Sequence, residues 1–288
     1  MEVIKIIPQG FCVGVTRAIE MTKKALLDEN TPKPIYVMGD VVHNDFVTNE
    51  LIELGAIIER GDKIEFIDSI DMGTIIFTAH GIDYKILDYT KNKGLNIIDT
   101  TCVYVTEIQD LVRNSINDGK CVIYIAKDGH PEAMSVMAVS DETHLIESVK
   151  DVDLLPDFGD KEIVITNQTT LNINMVDEII IKIKDKYKNV EDVNEICDAT
   201  RSRQEAIAKY ADKVDIVVVV GSIKSHNTSS LVSIAESLNL ECYFVEKESD
   251  IDDSWFDDKH EKIIGVTSGA STPSFVTNKV IEHLKNIV

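Results

Sequence analysis

The chain has 288 residues, of which 44% are hydrophobic and 27% are charged, a composition typical of a folded globular protein. Fifty acidic against 29 basic side chains give a formal net charge of −21, which argues against DNA or RNA as a partner because phosphate contacts need clustered lysine and arginine. The longest apolar runs, such as residues 216–220, are too short to cross a bilayer, and no secretory leader pattern opens the sequence, so we expect a cytoplasmic protein with no membrane partner.

Short runs rich in valine and isoleucine alternate along the chain with longer segments that have apolar residues at helical spacing. Strands are predicted at residues 2–7, 35–38, 74–77, 95–98, 120–125, 162–166, 190–193, 215–220 and 262–266. Helices are predicted at residues 16–27, 45–54, 83–91, 175–187 and 273–287. This alternation is typical of parallel sheets with crossover helices and therefore predicts an α/β fold.

Three of the five cysteines recur at nearly equal intervals, and each lies where an extended apolar segment changes to a helical one. Cys12, Cys102 and Cys197 are separated by 90 and 95 residues. Self-similarity over a long period indicates repeated structural units. The sequence therefore predicts three similar α/β units, which are residues 1–98, 99–193 and 194–288.

Polar residues mark two further strand-to-helix junctions in each predicted unit. The first set of junctions carries His43, His130 and the run from Ser225 to Asn227, and the second set carries His80, Thr169 and Ser271. In open α/β sheets, ligands bind beyond the carboxyl ends of the strands, where N–H groups at helix starts face the site. If the three units pack around an approximate threefold axis with those ends inward, the cysteines and the polar junctions converge on one central cavity.

Three converging thiols form a soft ligand set, since the dipole at a helix start favours the thiolate form of cysteine. Soft sulfur ligands select zinc, copper(I) or iron-sulfur clusters. Structural zinc normally takes four ligands at short spacings, and the sequence has no Cys-x-x-Cys pair. Three widely separated ligands suit a cubane held at three corners, with one iron open as a Lewis acid. Cys121 and Cys242 lie inside strand-like runs and are predicted to be buried apolar side chains.

The junction residues are neutral or protonatable hydrogen-bond donors. Helix starts, hydroxyls, amides and imidazolium groups can together hold a diphosphate, and the sequence contains no Walker-type phosphate loop. Taken singly, each histidine is better explained as a capping or core residue and each serine or threonine as a helix cap. Their joint placement favours a phosphate cradle.

Glu132 follows Pro131, which is predicted to be an early helical residue. In isolation, this carboxylate is explained by its favourable interaction with the helix dipole. Beside a metal centre and a bound diphosphate, however, a carboxylic acid is a candidate proton donor, and Thr169 could relay its proton.

Short motifs around these residues resemble, in the same order, those of the 4-hydroxy-3-methylbut-2-enyl diphosphate reductase family. The resemblance covers the whole chain. The motifs are Gly10-Phe11-Cys12-Val13-Gly14-Val15, Val42-His43-Asn44, Ala79-His80-Gly81, Asp99-Thr100-Thr101-Cys102, Gly129-His130-Pro131-Glu132, Gln168-Thr169-Thr170-Leu171, Ile196-Cys197, Arg203-Gln204-Glu205-Ala206 and Gly269-Ala270-Ser271.

The resemblance implies a trefoil of three α/β domains around a [4Fe-4S] cluster ligated by the three recurring cysteines. The implied reaction is a reductive dehydroxylation, in which two electrons and two protons remove water from the allylic alcohol to give isopentenyl diphosphate and dimethylallyl diphosphate. By the family pattern, Glu132 supplies protons and Thr169 positions the substrate hydroxyl. The diphosphate-binding residues implied by the same pattern are His43, His80, His130, Ser225, Asn227 and Ser271.

One position departs from the family pattern. Members often have Ser-Ser-Asn or Ser-Gly-Asn where this chain has Ser225-His226-Asn227, so His226 contributes to substrate binding through either its side chain or its backbone alone. The expected electron donor is a ferredoxin or flavodoxin. Both are commonly acidic, and their approach to a chain of charge −21 requires a local basic patch.

Two other classes of function stay open at this point. An iron-sulfur redox sensor would use cluster loss to switch a binding surface, and it would not need a diphosphate-sized polar cavity. A zinc hydrolase of phosphate esters would contain zinc and would keep its activity in air.

Overall fold

The computed structural model describes residues 2–193, 195–256 and 261–287. The strands in these residues are β1 (Glu2–Lys5), β2 (Ile35–Met38), β3 (Ile57–Glu59), β4 (Thr74–Phe77), β5 (Asn96–Asp99), β6 (Cys121–Ile125), β7 (Thr143–Ile146), β8 (Ile163–Asn167), β9 (Val190–Asp192), β10 (Ile216–Val220), β11 (Glu241–Val245) and β12 (Ile263–Ser268). The α-helices are α1 (Val13–Leu27), α2 (Asp45–Glu53), α3 (Lys63–Ser69), α4 (Tyr84–Asn92), α5 (Val103–Asn117), α6 (Pro131–Met137), α7 (Ile173–Lys186), α8 (Asp198–Tyr210), α9 (His226–Ser237) and α10 (Ser274–Asn286). Short 3-10 helices lie at Asp151–Leu154, Ala211–Lys213, Glu248–Asp250 and Asp253–Phe256.

The described strands form three four-stranded parallel sheets with the same topology. Their strand orders are β1-β12-β10-β11 in sheet A, β5-β4-β2-β3 in sheet B and β9-β8-β6-β7 in sheet C. In each sheet, the edge strand listed first leads into one of the three recurring cysteines. The predicted α/β architecture with a threefold repeat is therefore confirmed at the level of the sheets.

The N-terminal strand pairs with the C-terminal part of the chain. Glu2 is in register with Ile263 and Lys5 with Val266, so β1 completes sheet A. The sequence interpretation grouped β1 with the strands that now form sheet B. Parallel pairing joins strands that are distant in sequence, and chain order alone does not reveal the partner of an edge strand.

The central strands are buried on both faces, which is why they read as continuous apolar runs. All five residues of β10 are buried. Val218 contributes to one hydrophobic cluster with Val280 of α10, whereas Val219 contributes to another with Leu231 of α9. Alternate residues of a strand point to opposite faces, so this one strand holds a helix on each side of sheet A.

The chain divides into two compact units, here called the sheet A unit and the sheet BC unit. The sheet A unit comprises Met1–Val15, His43–Phe46 and Cys197–Val288, and the sheet BC unit comprises Thr16–Val42 and Val47–Ile196. Among the described residues, no helix has the length and apolar character required to span a membrane. The three-unit boundaries stay a prediction.

Candidate functional site

All three recurring cysteines lie at helix starts and are half-buried. Cys12 directly precedes α1, and its sulfur accepts a hydrogen bond of 3.4 Å from the backbone N–H of Val15. Cys102 and Cys197 are the N-cap residues of α5 and α8, with extended backbone conformations. The unpaired N–H groups of a helix start favour negative charge at such positions, as thiolate ligation of a metal requires.

Two of these cysteines make equivalent backbone contacts in their own units. The N–H of Cys12 donates to the carbonyl oxygen of Ala270 at 3.0 Å, and the N–H of Cys102 donates to that of Ala79, also at 3.0 Å. The residues that follow these alanines are Ser271 and His80, both predicted to bind the diphosphate. Each cysteine is therefore held next to a predicted substrate-binding junction, although the sequence interpretation had placed Ser271 and His80 in other units than Cys12 and Cys102, respectively.

A chain of hydrogen bonds links the two cysteine segments of the sheet A unit through Asn227, which is 5% exposed. The Asn227 Oδ1 atom accepts from the Ala270 N–H at 2.8 Å, and its Nδ2 atom donates to Thr200 Oγ1 at 2.9 Å. Thr200 Oγ1 in turn lies 3.2 Å from Cys197 Sγ. Because Thr200 Oγ1 accepts from the amide, its own proton can point to the sulfur. The sequence did not indicate this structural role for Asn227.

Ser225 and Ser271 lie together in the same unit, and each is at most 6% exposed. Ser225 is the N-cap residue of α9, and its hydroxyl accepts from the Thr228 N–H at 3.4 Å. The Ser271 hydroxyl oxygen lies 3.4 Å from that of Ser225 and 3.4 Å from the carbonyl oxygen of His43. His226 is the first residue of α9 and is half-buried. The predicted cradle residues of this unit thus come from three separate chain segments.

Arg203 is a buried cation in the sheet A unit to which the sequence interpretation gave no role, although its motif was noted. It is 3% exposed, and its guanidinium donates to the carbonyl oxygens of Ala199 and Gly10, each at 2.7 Å. Burial lowers the pKa of the guanidinium, and the negative charges of Cys12 and Cys197 act in the opposite direction. Through these two carbonyl groups, Arg203 joins the first turn of α8, which follows Cys197, to the segment that leads into Cys12.

Glu132 and Thr169 form a buried pair in the sheet BC unit. They are 2% and 5% exposed, respectively. The backbone N–H of Thr169 donates to Glu132 Oε1 at 2.7 Å, and its hydroxyl donates to Oε2 at 2.9 Å. Burial raises the pKa of Glu132 to about 7, and the two hydrogen bonds from Thr169 limit the rise. A carboxyl group with this pKa exchanges its proton near neutral pH, as a general acid must.

His80 and His130 lie side by side in the sheet BC unit, with ring centroids 5.7 Å apart at an interplanar angle of 86°. His130 is the N-cap residue of α6, and its Nδ1 atom accepts from the Glu132 N–H at 3.1 Å. In the neutral ring the proton is then on Nε2, where it is a donor. His80 Nδ1 lies 3.3 Å from Thr78 Oγ1.

Gly81 permits the close packing behind His80. Its φ is +89°, and a Cβ atom there would lie 2.7 Å from Ser135 Oγ and 2.9 Å from Val105 Cγ1. The Ser135 Oγ atom also lies 3.2 Å from the His80 carbonyl oxygen and 2.8 Å from the Glu132 carbonyl oxygen, and its single proton can be donated to either. Glycine is required here because a side chain would push this loop away from α5 and α6.

Both remaining cysteines contact the hydrophobic core, but only Cys121 is buried as predicted, whereas Cys242 is half-buried. Cys121 is 8% exposed and belongs to the hydrophobic core of sheet C. Cys242 packs against the core between sheet A and α9, and burial raises its thiol pKa to about 12. Both therefore act as apolar core residues.

A model of the LytB protein family matches residues 3–285. The chain belongs to the LytB family. It is 42% identical to the 4-hydroxy-3-methylbut-2-enyl diphosphate reductase of Anoxybacillus flavithermus over 99% of this chain and 90% of the relative. It is 40% identical to the reductase of the same name from Symbiobacterium thermophilum, over 99% of this chain and 97% of the relative.

Two solved structures of diphosphate reductases have the same fold as this chain. The reductase of Plasmodium falciparum superimposes with a TM-score of 0.92 at 34% identity, over 99% of this chain and 88% of the other. A second solved structure, described as the terminal enzyme of the non-mevalonate pathway, gives a TM-score of 0.68 at 28% identity, over 99% of each chain. The family resemblance and the predicted α/β fold class are therefore confirmed.

A zinc ion and an iron-sulfur cluster require different arrangements of the ligand side chains. In residues 2–193, 195–256 and 261–287, no three His, Cys, Asp or Glu side chains are grouped closely enough to hold one metal ion. The ligands of a single zinc ion must all contact the same atom. An iron-sulfur cluster binds each thiolate to a different iron and so spaces its ligands more widely. Sulfurs at helix starts beside the buried cation Arg203 fit that alternative.

Proposed function

We propose that this LytB chain catalyses the reductive dehydroxylation of 4-hydroxy-3-methylbut-2-enyl diphosphate. The products are isopentenyl diphosphate and dimethylallyl diphosphate, the precursors of isoprenoids. The observation that carries this proposal is the 42% identity, over 99% of the chain, to a reductase named for that substrate. Two electrons and two protons enter, the C–O bond of the allylic alcohol breaks, a C–H bond forms, and the oxygen leaves as water.

The proposed cofactor is a [4Fe-4S] cluster held by Cys12, Cys102 and Cys197. Such a cluster would supply electrons one at a time and a Lewis-acidic iron for the substrate hydroxyl. The proposal is supported by the position of all three cysteines at helix starts and by the N–H and O–H groups around the sulfurs of Cys12 and Cys197. Hydrogen bonds to cluster sulfurs and ligands tune the reduction potential in such sites.

The proposed binding residues for the diphosphate are His43, His80, His130, Ser225, His226, Asn227 and Ser271. All are neutral or cationic hydrogen-bond donors, which suits a polyanion. The proposed donor atom of His130 is Nε2, because its Nδ1 atom accepts from the Glu132 N–H. An amide nitrogen has two protons, and Asn227 donates one of them to Thr200.

Glu132 is the proposed proton donor and Thr169 the residue that positions the substrate hydroxyl. Because the pKa of Glu132 is raised to about 7, its carboxyl group is partly protonated at neutral pH and can release a proton. When Oε2 is protonated, it is the donor in the 2.9 Å contact, and its proton can pass to Thr169 Oγ1 while the threonine hydroxyl donates its own proton to the leaving oxygen. The carboxyl group needs no contact with bulk water for this transfer.

We further propose that the protein acts in the cytoplasm and receives electrons from a ferredoxin or flavodoxin. The net charge of −21 opposes the approach of an acidic donor, so the donor would dock where basic side chains reduce the repulsion. Binding should then weaken at high ionic strength if those contacts are attractive.

Anaerobic preparation with iron and sulfide analysis is the test. The proposal predicts a brown, oxygen-labile protein whose visible spectrum changes on addition of the diphosphate alcohol. Zinc with activity that survives air would support a phosphate-ester hydrolase instead. A cluster with no spectral response to the substrate, and no effect of His43→Ala or Asn227→Ala on any measurable function, would support a redox sensor.

A further inference from the structure

We propose that Arg203 is a positioning residue that supplies a fixed buried positive charge to the iron-sulfur site and thereby raises its reduction potential. This inference rests on the proposed function, because it concerns the cluster that Cys12, Cys102 and Cys197 would hold. Arg203 lies on α8, six residues after Cys197. We do not propose that it contacts the substrate or the reacting atoms.

The guanidinium of Arg203 joins the two cysteine segments of the sheet A unit. One nitrogen donates to the carbonyl oxygen of Ala199, which is on the first turn of α8 and two residues after Cys197. Another donates to the carbonyl oxygen of Gly10, two residues before Cys12. The Gly10 segment is itself fixed, because its N–H donates to Ser268 Oγ at 2.9 Å. The position of the charge is therefore set by the backbone on both sides.

Burial makes this charge expensive unless something negative offsets it. Arg203 is 3% exposed, and the two acceptors described above are neutral carbonyl groups. None of the ion pairs found among the described residues includes Arg203. The negative groups that act on the guanidinium are Cys12 and Cys197. The cation is thus placed to offset the charge of thiolate ligands and not that of a carboxylate.

The Nε atom of Arg203 also suggests a sulfur acceptor near the guanidinium. Its Nε atom is buried and makes no hydrogen bond within the described part of the chain. Buried guanidinium N–H groups usually have an acceptor, because leaving one unsatisfied loses the hydrogen bond that it made to water in the unfolded chain. A thiolate or sulfide sulfur of a bound cluster is an acceptor of the kind that this N–H group would take. The Nε atom without a hydrogen bond and the two nitrogens held by backbone carbonyls are separate geometric observations that agree.

The expected consequence is electrostatic. Reduction adds negative charge to a cluster, and a nearby fixed cation favours the state with more negative charge. Removing the cation should therefore make the cluster harder to reduce. A low-dielectric environment strengthens this effect compared with an exposed cation.

The experiment compares the wild-type holoenzyme with Arg203→Lys, Arg203→Met and the control Lys209→Met. Lys209 is an exposed cation on the same helix, so its substitution removes the same formal charge from outside the core. Each protein is prepared anaerobically, its iron and sulfide are counted, and its midpoint potential is measured by redox titration.

We expect Arg203→Met to shift the reduction equilibrium at least tenfold toward the oxidised state, which is about 59 mV for a one-electron couple. Arg203→Lys should stay within threefold of wild type, because it keeps the charge, and Lys209→Met should not shift measurably. If Arg203→Met fails to hold the cluster while Arg203→Lys holds it, the charge is again the deciding property.

Two results would overturn the inference: equal shifts or equal cluster loss in Arg203→Lys and Arg203→Met, or an unchanged potential in an iron-replete Arg203→Met protein. Wild-type iron, sulfide and turnover are measured in the same series. A wild type without cluster or turnover would refute the proposed function, whereas an active wild type with unshifted Arg203 variants would refute only the role of Arg203.

Discussion

Thr169 donates both its backbone N–H and its hydroxyl to the two carboxyl oxygens of Glu132, at 2.7 and 2.9 Å. The pair comes from two segments 37 residues apart and is almost fully buried. A carboxylate with two such donors would ordinarily be strongly acidic. Here burial outweighs the donors and raises the pKa to about 7.

Glu132→Gln should reduce kcat by about 10²- to 10⁴-fold, the usual contribution of general acid catalysis. Glutamine keeps the geometry, since its Oε1 atom can accept from the Thr169 N–H while its Nε2 atom donates to the Thr169 hydroxyl oxygen. The measurement is steady-state turnover under anaerobic conditions at matched iron content. A kcat within tenfold of wild type would contradict the assignment of Glu132 as the acid.

The same substitution should change how stability depends on pH. The pKa of Glu132 is about 7 in the folded protein against an ordinary value of 4.5, so the contribution of this group to the free energy of unfolding is fully present below pH 4.5 and is lost as the pH rises through 7. From pH 5.5 to 8.5, wild type should lose about 2 kcal/mol of unfolding free energy relative to Glu132→Gln. Urea unfolding of both proteins at equal iron content measures this difference. If the unfolding free energies of wild type and Glu132→Gln change in parallel with pH, the pKa of the Glu132 carboxyl is not raised in the folded protein.

Asn227 allows structural and substrate-binding roles to be separated. Asn227→Ala removes the partners of the Ala270 N–H and the Thr200 hydroxyl, and should cost about 1 to 3 kcal/mol of unfolding free energy. Asn227→Asp keeps an acceptor for the Ala270 N–H, and the Thr200 hydroxyl can donate to the new carboxylate. It should therefore stay more stable than the alanine variant but raise KM at least tenfold, because a negative charge faces the diphosphate. An unchanged KM for the aspartate variant would place Asn227 outside the binding site.

Gly81→Ala and Gly119→Ala form a matched pair. Both glycines have positive φ, +89° and +77°, so each alanine carries a similar backbone penalty of about 1 kcal/mol or more. A Cβ at Gly81 meets Ser135 and Val105, whereas nothing lies within 4 Å of one at Gly119. Gly81→Ala should cost a further 1 to 3 kcal/mol or so from overpacking and should raise KM through displacement of His80. Equal melting temperatures and KM values for the pair would refute this role of Gly81.

Single Cys→Ser variants should fall into two classes. Substitution of Cys12, Cys102 or Cys197 should lower iron and sulfide per chain severalfold and abolish turnover. Cys242→Ser, which alters a half-buried thiol packed against the hydrophobic core, should lower stability but leave the iron content of the folded fraction unchanged. Iron loss in the Cys242 variant equal to that in the other three would remove the distinction between ligand and core cysteines.

The sequence predicted the central strands well because they are buried on both faces and read as apolar runs. It missed β3 and β7, which are short edge strands with partly exposed side chains, so neither an apolar run nor a clean alternation marks them. It also grouped β1 with the wrong strands, since the pairing of Glu2 with Ile263 is a contact between opposite ends of the chain.

The site residues that could be predicted are those that occupy equivalent positions in the repeated units. The recurring cysteines and the Glu132–Thr169 relationship followed from equivalent strand-to-helix junctions. Arg203 had no such signal, because an arginine within a charged helical segment is normally solvated, and its burial depends on the carbonyl of Gly10, 193 residues away. The bridging bonds of Asn227 were likewise hidden, because they depend on which loops meet and not on the motif itself.

Product analysis is the most direct test of the proposed reductive dehydroxylation. Anaerobically prepared protein is mixed with 4-hydroxy-3-methylbut-2-enyl diphosphate and a strong one-electron reductant, and the products are resolved with Glu132→Gln as the control. We predict isopentenyl and dimethylallyl diphosphate from wild type and at least a hundredfold less from the variant. An iron- and sulfide-replete wild type that leaves the substrate unchanged would contradict the proposed function.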